Sequence, residues 1–282
     1  MCNIGFRGRM KVLIAGASGY IGRHVTSLFR ESQFEVFVYS RNHMAIPKVG
    51  VITSDSSKFN NYFDVVINCA RPHWSEYSPN EIAAIEQQLL EQLDQFSAVG
   101  AVKIHTSGVW LFGHSSPDEL AGFVLKPLNA VKLDVHTIQL ALDKDWHVVY
   151  CPSLVYGGEN CQLKRVIESL SGNILNVAVP SVGLNQYIHV TDIARYYLLL
   201  VRERVTQKQH FIAEAKGFSP EEFSQLLLSN NIVQKVTAIC WDEFESLNGR
   251  DATEVEKLNL LLPVCSRFKP TQSVESYVKN YT

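Results

Sequence analysis

The 282-residue chain lacks any apolar run near the ~18 residues that a membrane-spanning helix needs; its most evident one is Tyr196-Tyr197-Leu198-Leu199-Leu200-Val201. It also lacks an excess of charge. Lys and Arg number 26 against 28 Asp and Glu, for a net charge of −2. With a pI near 6.5, neither nucleic acid nor an anionic membrane is expected as a partner. The opening "MCNIGFRGRM" has no apolar segment of the kind a secretory signal carries. None of the six cysteines forms a CxxC pair, and the nine histidines show no H-x₃-H or Cys/His cluster, so no metal site is expected. Cys2, Cys69, Cys151, Cys161, Cys240 and Cys265 read as buried free thiols, which suits the reducing cytoplasm. Repeats and low-complexity linkers are absent.

What is present is a chain that is 46% hydrophobic, enough for one large domain with a smaller lobe. Strand-like runs at Lys11–Ala15, Glu35–Ser40, Val49–Thr53, Asp64–Cys69, Val102–His105 and His147–Cys151 alternate with helix-like runs at Ile21–Ser32, Glu81–Val99 and Leu128–Asp143. "DVVINC" is apolar from its second residue to Ile67, as in a parallel strand covered on both faces. Repeated β-α units predict an α/β fold with a doubly wound parallel sheet of Rossmann type and a smaller interwoven C-terminal lobe. The predicted domain covers residues 10–157, with 187–215 contributing to it. Residues 158–186 and 216–282 form the lobe. Met10 stands directly before "KVLIAG", so residues 1–9 read as an N-terminal extension. Further on, helices are predicted over Cys161–Leu170, from near Asp192, and around Gln272–Asn280, and strands at Tyr187–Val190 and His210–Ala213. "SPEEFSQLLLSN" carries a capping box, with Ser219 as N-cap, Pro220 first in the helix and Glu222 three after the cap.

"VLIAGASGYIG" sets Gly16, Gly19 and Gly22 in a GxxGxxG pattern between the first strand and the first helix. The first glycine permits a tight turn, the second a close approach by a pyrophosphate, and the third close packing of helix on strand. Gly16, Ser18, Gly19, Tyr20, Ile21 and Gly22 are therefore candidate dinucleotide-binding residues. The second strand ends "VYSRN", without the acid that would bond a ribose diol. Ser40 and Arg41 stand there instead, and a cation suits a 2′-phosphate. NADP is expected, with NAD possible. Asp55 is placed to meet the adenine edge.

"GASGYIG", "DVVINCA", "HTSGVWLFG", "CPSLVYG" and "YIHVTDIAR" occur in the order and spacing of the extended short-chain dehydrogenase/reductases. The chain resembles most closely the NAD-dependent epimerase/dehydratase-like group, as an atypical member, from about Met10 to at least Ala213. The resemblance implies that Ala70 and Arg71 line the phosphate or ribose side of the cofactor, and Thr106 its floor. It implies that Lys132, the lysine of the family's Tyr-x-x-x-Lys pair, holds the nicotinamide ribose. The tyrosine position falls on Leu128 and the serine position on Gly108, so both usual catalytic groups are missing.

A reduced carbonyl must still gain a proton. Ser107, Tyr156 and Lys132 are the candidate catalytic residues, with Thr106, His73, His105 and His114 as lesser ones. Trp74 and Trp110 are candidates for an aromatic wall. Two readings stay open. One is an NADP-dependent oxidoreductase or epimerase-like enzyme on a small carbonyl or alcohol compound. The other is a non-catalytic NADP-binding protein that resembles redox sensors of the nitrogen-metabolite-repression type. A homodimer through helices 81–99 and 128–143 is compatible with the family.

Overall fold

The computed structural model describes residues 9–41, 50–263 and 265–281. Residues 1–8 of the expected extension and Val49 of the third expected strand lie outside that range. The elements run β1 (Lys11–Ala15), α1 (Tyr20–Glu31), β2 (Glu35–Tyr39), β3 (Gly50–Ile52), β4 (Phe63–Asn68), α2 (Pro79–Phe96), β5 (Ser97–Gly108), α3 (Pro117–Ala121), α4 (Asp134–Asp143), β6 (His147–Cys151) and β7 (Leu154–Tyr156). They continue with α5 (Gln162–Glu168), β8 (Ile174–Ala178), β9 (Asn185–His189), α6 (Val190–Glu203), β10 (Gln209–Phe211), β11 (Gly217–Phe218), α7 (Pro220–Ser229), β12 (Lys235–Ile239), α8 (Trp241–Asn248), α9 (Arg250–Glu256) and α10 (Val274–Lys279).

The main sheet has the order β3-β2-β1-β4-β5-β6-β10. β1 pairs parallel with β2 and β4, β2 with β3, and β4 with β5. The order reverses between β1 and β4, which makes the sheet doubly wound, as the alternating pattern predicts. At such a reversal a crevice opens beyond the carboxyl ends of the strands.

The chain divides into two compact units: Met1–Thr106 with His136–Val148 and Ala194–Lys208, and Ser107–Val135 with Val149–Ile193 and Gln209–Thr282. In the first, Val12 to Ala15 of β1 and Val65 to Ile67 of β4 are wholly buried. α1 turns Gly22, Val25 and Phe29 inward, a 3-and-4 spacing that gives one helical stripe. α2 starts at Pro79, two residues before the expected Glu81, because Ser78 and Glu81 form a capping box. It stops at Phe96, short of Val99, because Ser97 is already extended and pairs with Phe63 of β4.

In the second unit α7 has the expected cap: Ser219 and Glu222 exchange hydrogen bonds and Pro220 is the first helical residue. β8 and β12 form a parallel pair that the sequence pattern does not reveal; both strands are short and only partly buried. The expected helix Leu128–Asp143 is corrected: residues 129–131 are a single 3-10 turn and α4 begins only at Asp134. The cause is local. The amides of Lys126 and Leu128 donate to the carbonyls of Leu111 and Trp110 at 2.9 Å each, and that pairing keeps the chain extended as far as Leu128.

Two buried carboxylates hold the segment that enters α10. Asp192 accepts from the Thr271 amide (3.0 Å), the Thr271 hydroxyl (2.9 Å) and the Gln272 amide (3.2 Å). Both oxygens of Glu214 accept from the Val274 amide at 3.1 Å. Val274 and Val278 then bury against Tyr156, Leu163 and Phe223.

No helix among the described residues is long and apolar enough to cross a membrane, and none of their His, Cys, Asp or Glu side chains cluster as metal ligands. The described cysteines form no disulfide. Cys240, the N-cap of α8, is exposed, contrary to the expectation of burial.

Candidate functional site

β1 passes to α1 through the glycine turn. Gly16 has φ +75°, and a Cβ there would lie 2.6 Å from the Ala70 amide nitrogen and 2.7 Å from the Cys69 carbonyl carbon. A Cβ on Gly22 would lie 2.0 Å from the Gly16 carbonyl oxygen. The fold itself therefore demands both glycines. Gly19 differs: its Cβ would meet only the Gly16 oxygen, at 3.2 Å, and its amide donates to that oxygen at 2.9 Å. Ser18 and Gly19 are exposed. Gly19 caps α1 without a side-chain hydrogen bond, and no acid stands in the first turn, which Tyr20 and Ile21 open. A helix start of this kind suits an anion.

At the end of β2 the Ser40 amide donates to the Ile52 carbonyl at 2.9 Å. Arg41 follows, exposed. Burial raises the pKa of the Tyr39 phenol; the charge of Arg41 lowers it and that of Asp55 raises it. Arg41 and Asp55 thus both lie within electrostatic reach of one ring. Tyr39 is anchored by its hydroxyl, which donates to Gln92 of α2.

The ends of β4 and β5 share a network. Asn68 Oδ1 accepts from the Ala70 amide at 3.0 Å, which turns Nδ2 toward His105 Nδ1 at 3.2 Å. Nδ1 is therefore the acceptor, and the neutral ring carries its proton on Nε2. Burial, helped by the charge of Arg71, holds the His105 pKa down at about 4, so this histidine is neutral at pH 7 and does not serve there as an acid. Arg71 Nη1 bonds Glu86 Oε2 at 2.9 Å. The Thr106 hydroxyl meets that of Tyr197 at 2.7 Å and donates to Cys69 Sγ at 3.5 Å. Tyr197 is consequently the donor of the first bond, and Thr106 spends its proton on sulfur. Burial pushes the Cys69 thiol up to about 12.

In the second unit Ser107 is half-buried, and its hydroxyl makes no hydrogen bond among the described residues. Gly108 has space: a Cβ there would meet only the Cys151 carbonyl, at 3.9 Å. Leu128 is buried. Lys132 ends the 3-10 turn and is exposed, with no ion pair among the described residues. Because that turn replaces the expected helix, Leu128 and Lys132 do not share an α-helical face. Tyr156 is wholly buried. Its hydroxyl is close enough to the Glu214 carboxylate to lower that group's pKa, and its ring lies 5.1 Å from that of His189 and 5.2 Å from that of Tyr277. Trp110 donates to Ser153 at 3.0 Å. His114 approaches Glu254 at 3.6 Å. In the first unit, His73 Nδ1 lies 2.6 Å from the Ser75 hydroxyl, and Trp74 is 72% exposed.

Asn68, Glu86, Tyr197 and Glu214 were not singled out by the sequence. Glu86 alone left a signal: an acid on the buried stripe of Ile82, Leu89, Leu90 and Leu93 requires a partner.

Residues 12–213 match the sequence model of the NAD dependent epimerase/dehydratase family. No curated protein sequence matches the chain. Among solved structures, the human epimerase family protein SDR39U1 (isoform 2) with NADPH is similar at TM-score 0.72 and 16% identity, over 96% of this chain and 98% of that one. UDP-glucose 4-epimerase from Thermotoga maritima, with UDP-glucose, is similar at 0.70 and 16%, over 96% of both chains. ADP-L-glycero-D-manno-heptose-6-epimerase from Helicobacter pylori gives 0.70 and 15%, over 97% and 95%. At such identities the likeness is one of fold. The family match spans more than half of the sequence, with the glycine turn at its start and β10 near its end, and on that ground the chain belongs to the NAD-dependent epimerase/dehydratase family.

Proposed function

We propose that the protein is an NADP-dependent oxidoreductase or epimerase-like enzyme that acts on a small carbonyl or alcohol compound without the usual serine and tyrosine. The glycine turn carries the reading. It leaves the first amides of α1 without a side-chain cap, at a glycine whose missing side chain the fold does not require. These features fit a dinucleotide: main chain around Gly16, Ser18, Gly19, Tyr20, Ile21 and Gly22 for the pyrophosphate, Ser40 and Arg41 for a 2′-phosphate, and Asp55 for the adenine edge. Ala70 and Arg71 would line the phosphate or ribose side of the cofactor, and Thr106 its floor.

A bound nicotinamide supplies or accepts the hydride. The chain's own task is to hold the substrate oxygen and move its proton. Ser107 Oγ, with no hydrogen bond among the described residues, would hydrogen-bond that oxygen. Lys132 Nζ, exposed and without an ion pair among the described residues, would bond the ribose hydroxyls through its three donors. Tyr156 is the weaker candidate, since it is wholly enclosed in the protein.

Leu128 and Gly108 favour the second reading, an NADP-binding redox sensor without catalysis. Calorimetric titration with NADPH and NADH, followed by a panel of carbonyl compounds with NADPH, separates the two. Turnover that Ser107→Ala and Lys132→Ala both reduce supports the enzyme. Tight NADPH binding with no turnover across the panel supports the sensor, and a chain that binds neither dinucleotide removes both readings.

A further inference from the structure

β4 ends at Asn68 beside β1, where the strand order reverses. Ala70 packs its amide against Gly16, and Arg71 is the next residue. Its guanidinium bonds Glu86 at 2.9 Å; the Glu86 side chain is 3% exposed and that of Arg71 45%. A carboxylate buried this far is unfavourable unless it is paired, so Glu86 has its place on α2 through its partner. The charge of Arg71 also reaches His105 at the end of β5. The cation is thereby located at the carboxyl ends of β1, β4 and β5, the side on which open α/β sheets take ligands. A bond to Glu86 holds it from within, and nearly half of its side-chain surface faces outward.

We propose that Arg71 is a second phosphate-binding cation of the dinucleotide site, directed at the pyrophosphate, and that Glu86 is the positioning residue that holds it there. This rests on the dinucleotide reading above. The two arginines then divide the work. Arg41, after β2, answers to the 2′-phosphate that only NADP carries. Arg71, one residue from the contact with Gly16, answers to the pyrophosphate that both dinucleotides share.

The test is titration of NADPH and NADH into the full chain and into Arg71→Gln, Glu86→Gln and the double variant. Arg71→Gln is expected to weaken both dinucleotides alike, by about tenfold, the effect of losing a charge-assisted hydrogen bond. Glu86→Gln should weaken both by about threefold and add nothing in the Arg71→Gln background, because it acts through Arg71. A merely structural Glu86 would instead lower the melting temperature and cost affinity in either background, which overturns the positioning role. If Arg71→Gln binds both dinucleotides as the parent does, the proposal falls while the dinucleotide reading stands. If the parent binds neither, both fall. Should Glu86→Gln fail to fold, Glu86→Asp draws the carboxylate back by one methylene and must show the same dependence on Arg71.

Discussion

A methyl group on Gly16 would lie 2.6 Å from the amide nitrogen of Ala70. The two residues follow β1 and β4, so the carboxyl ends of these strands touch through bare backbone. The packing of the turn therefore demands Gly16 and Gly22 but not Gly19, whose place the proposed dinucleotide would explain.

That division predicts opposite outcomes for two alanine variants. Gly22→Ala forces a Cβ to 2.0 Å from a backbone oxygen and should cost about 3 kcal/mol of stability or more. Gly19→Ala should stay within about 0.5 kcal/mol of the parent yet bind NADPH more weakly. Urea unfolding beside calorimetric titration reads both. An unstable Gly19→Ala with intact binding contradicts the assignment.

Arg41→Ala should weaken NADPH by about ten- to a hundredfold, since a hydrogen bond to a charged group contributes about 1.5–3 kcal/mol. NADH should bind as before. Equal losses for the two dinucleotides would mean that Arg41 does not meet the 2′-phosphate.

His105 should remain neutral across the physiological range. With a folded pKa of about 4 against an ordinary 6.5, the unfolded chain takes up the proton first. Stability is therefore lost as pH falls from about 6.5 toward 4, by about 3 kcal/mol in all. An NMR titration that shows the His105 ring charging near pH 6.5 would refute this and restore it as a candidate acid.

Glu214 should act in the opposite sense. Burial, with the charges of Asp192 and Glu275, raises its pKa, while the Tyr156 hydroxyl and the bond from the Val274 amide lower it. A raised carboxyl pKa means that ionisation costs the folded state, and the cost fades as pH falls through the folded pKa. Glu214→Gln should thus compare best with the parent near neutrality and lose that advantage toward the ordinary glutamate range, about pH 4.3. Denaturant midpoints taken across pH would show the gap closing; a gap that widens on acidification would count against it.

The sheet and the turn were legible because their signals are local: apolar strands, glycine spacing, and capping residues three apart. The helix expected from Leu128 failed for a reason no local pattern holds, the bonds from residues 126 and 128 to the carbonyls of 111 and 110. The same limit applies to chemistry. Thr106 looked like a strand-end hydroxyl available to a ligand. Its commitment depends on Tyr197, 91 residues away, and on Cys69. Tyr156 sat in a family motif, and only the fold encloses it against Glu214 and His189.

The carboxylates that hold the approach to α10 also order events during synthesis. Asp192 and Glu214 find their amide donors 79 and 60 residues further along the chain. A nascent chain that has emerged only to residue 260 still lacks residues 271–274, and both acids are left without the donors that make their burial tolerable. The second unit therefore completes its fold only once that segment has left the ribosome, whereas Val12 to Ala15 and Val65 to Ile67 have found one another long before.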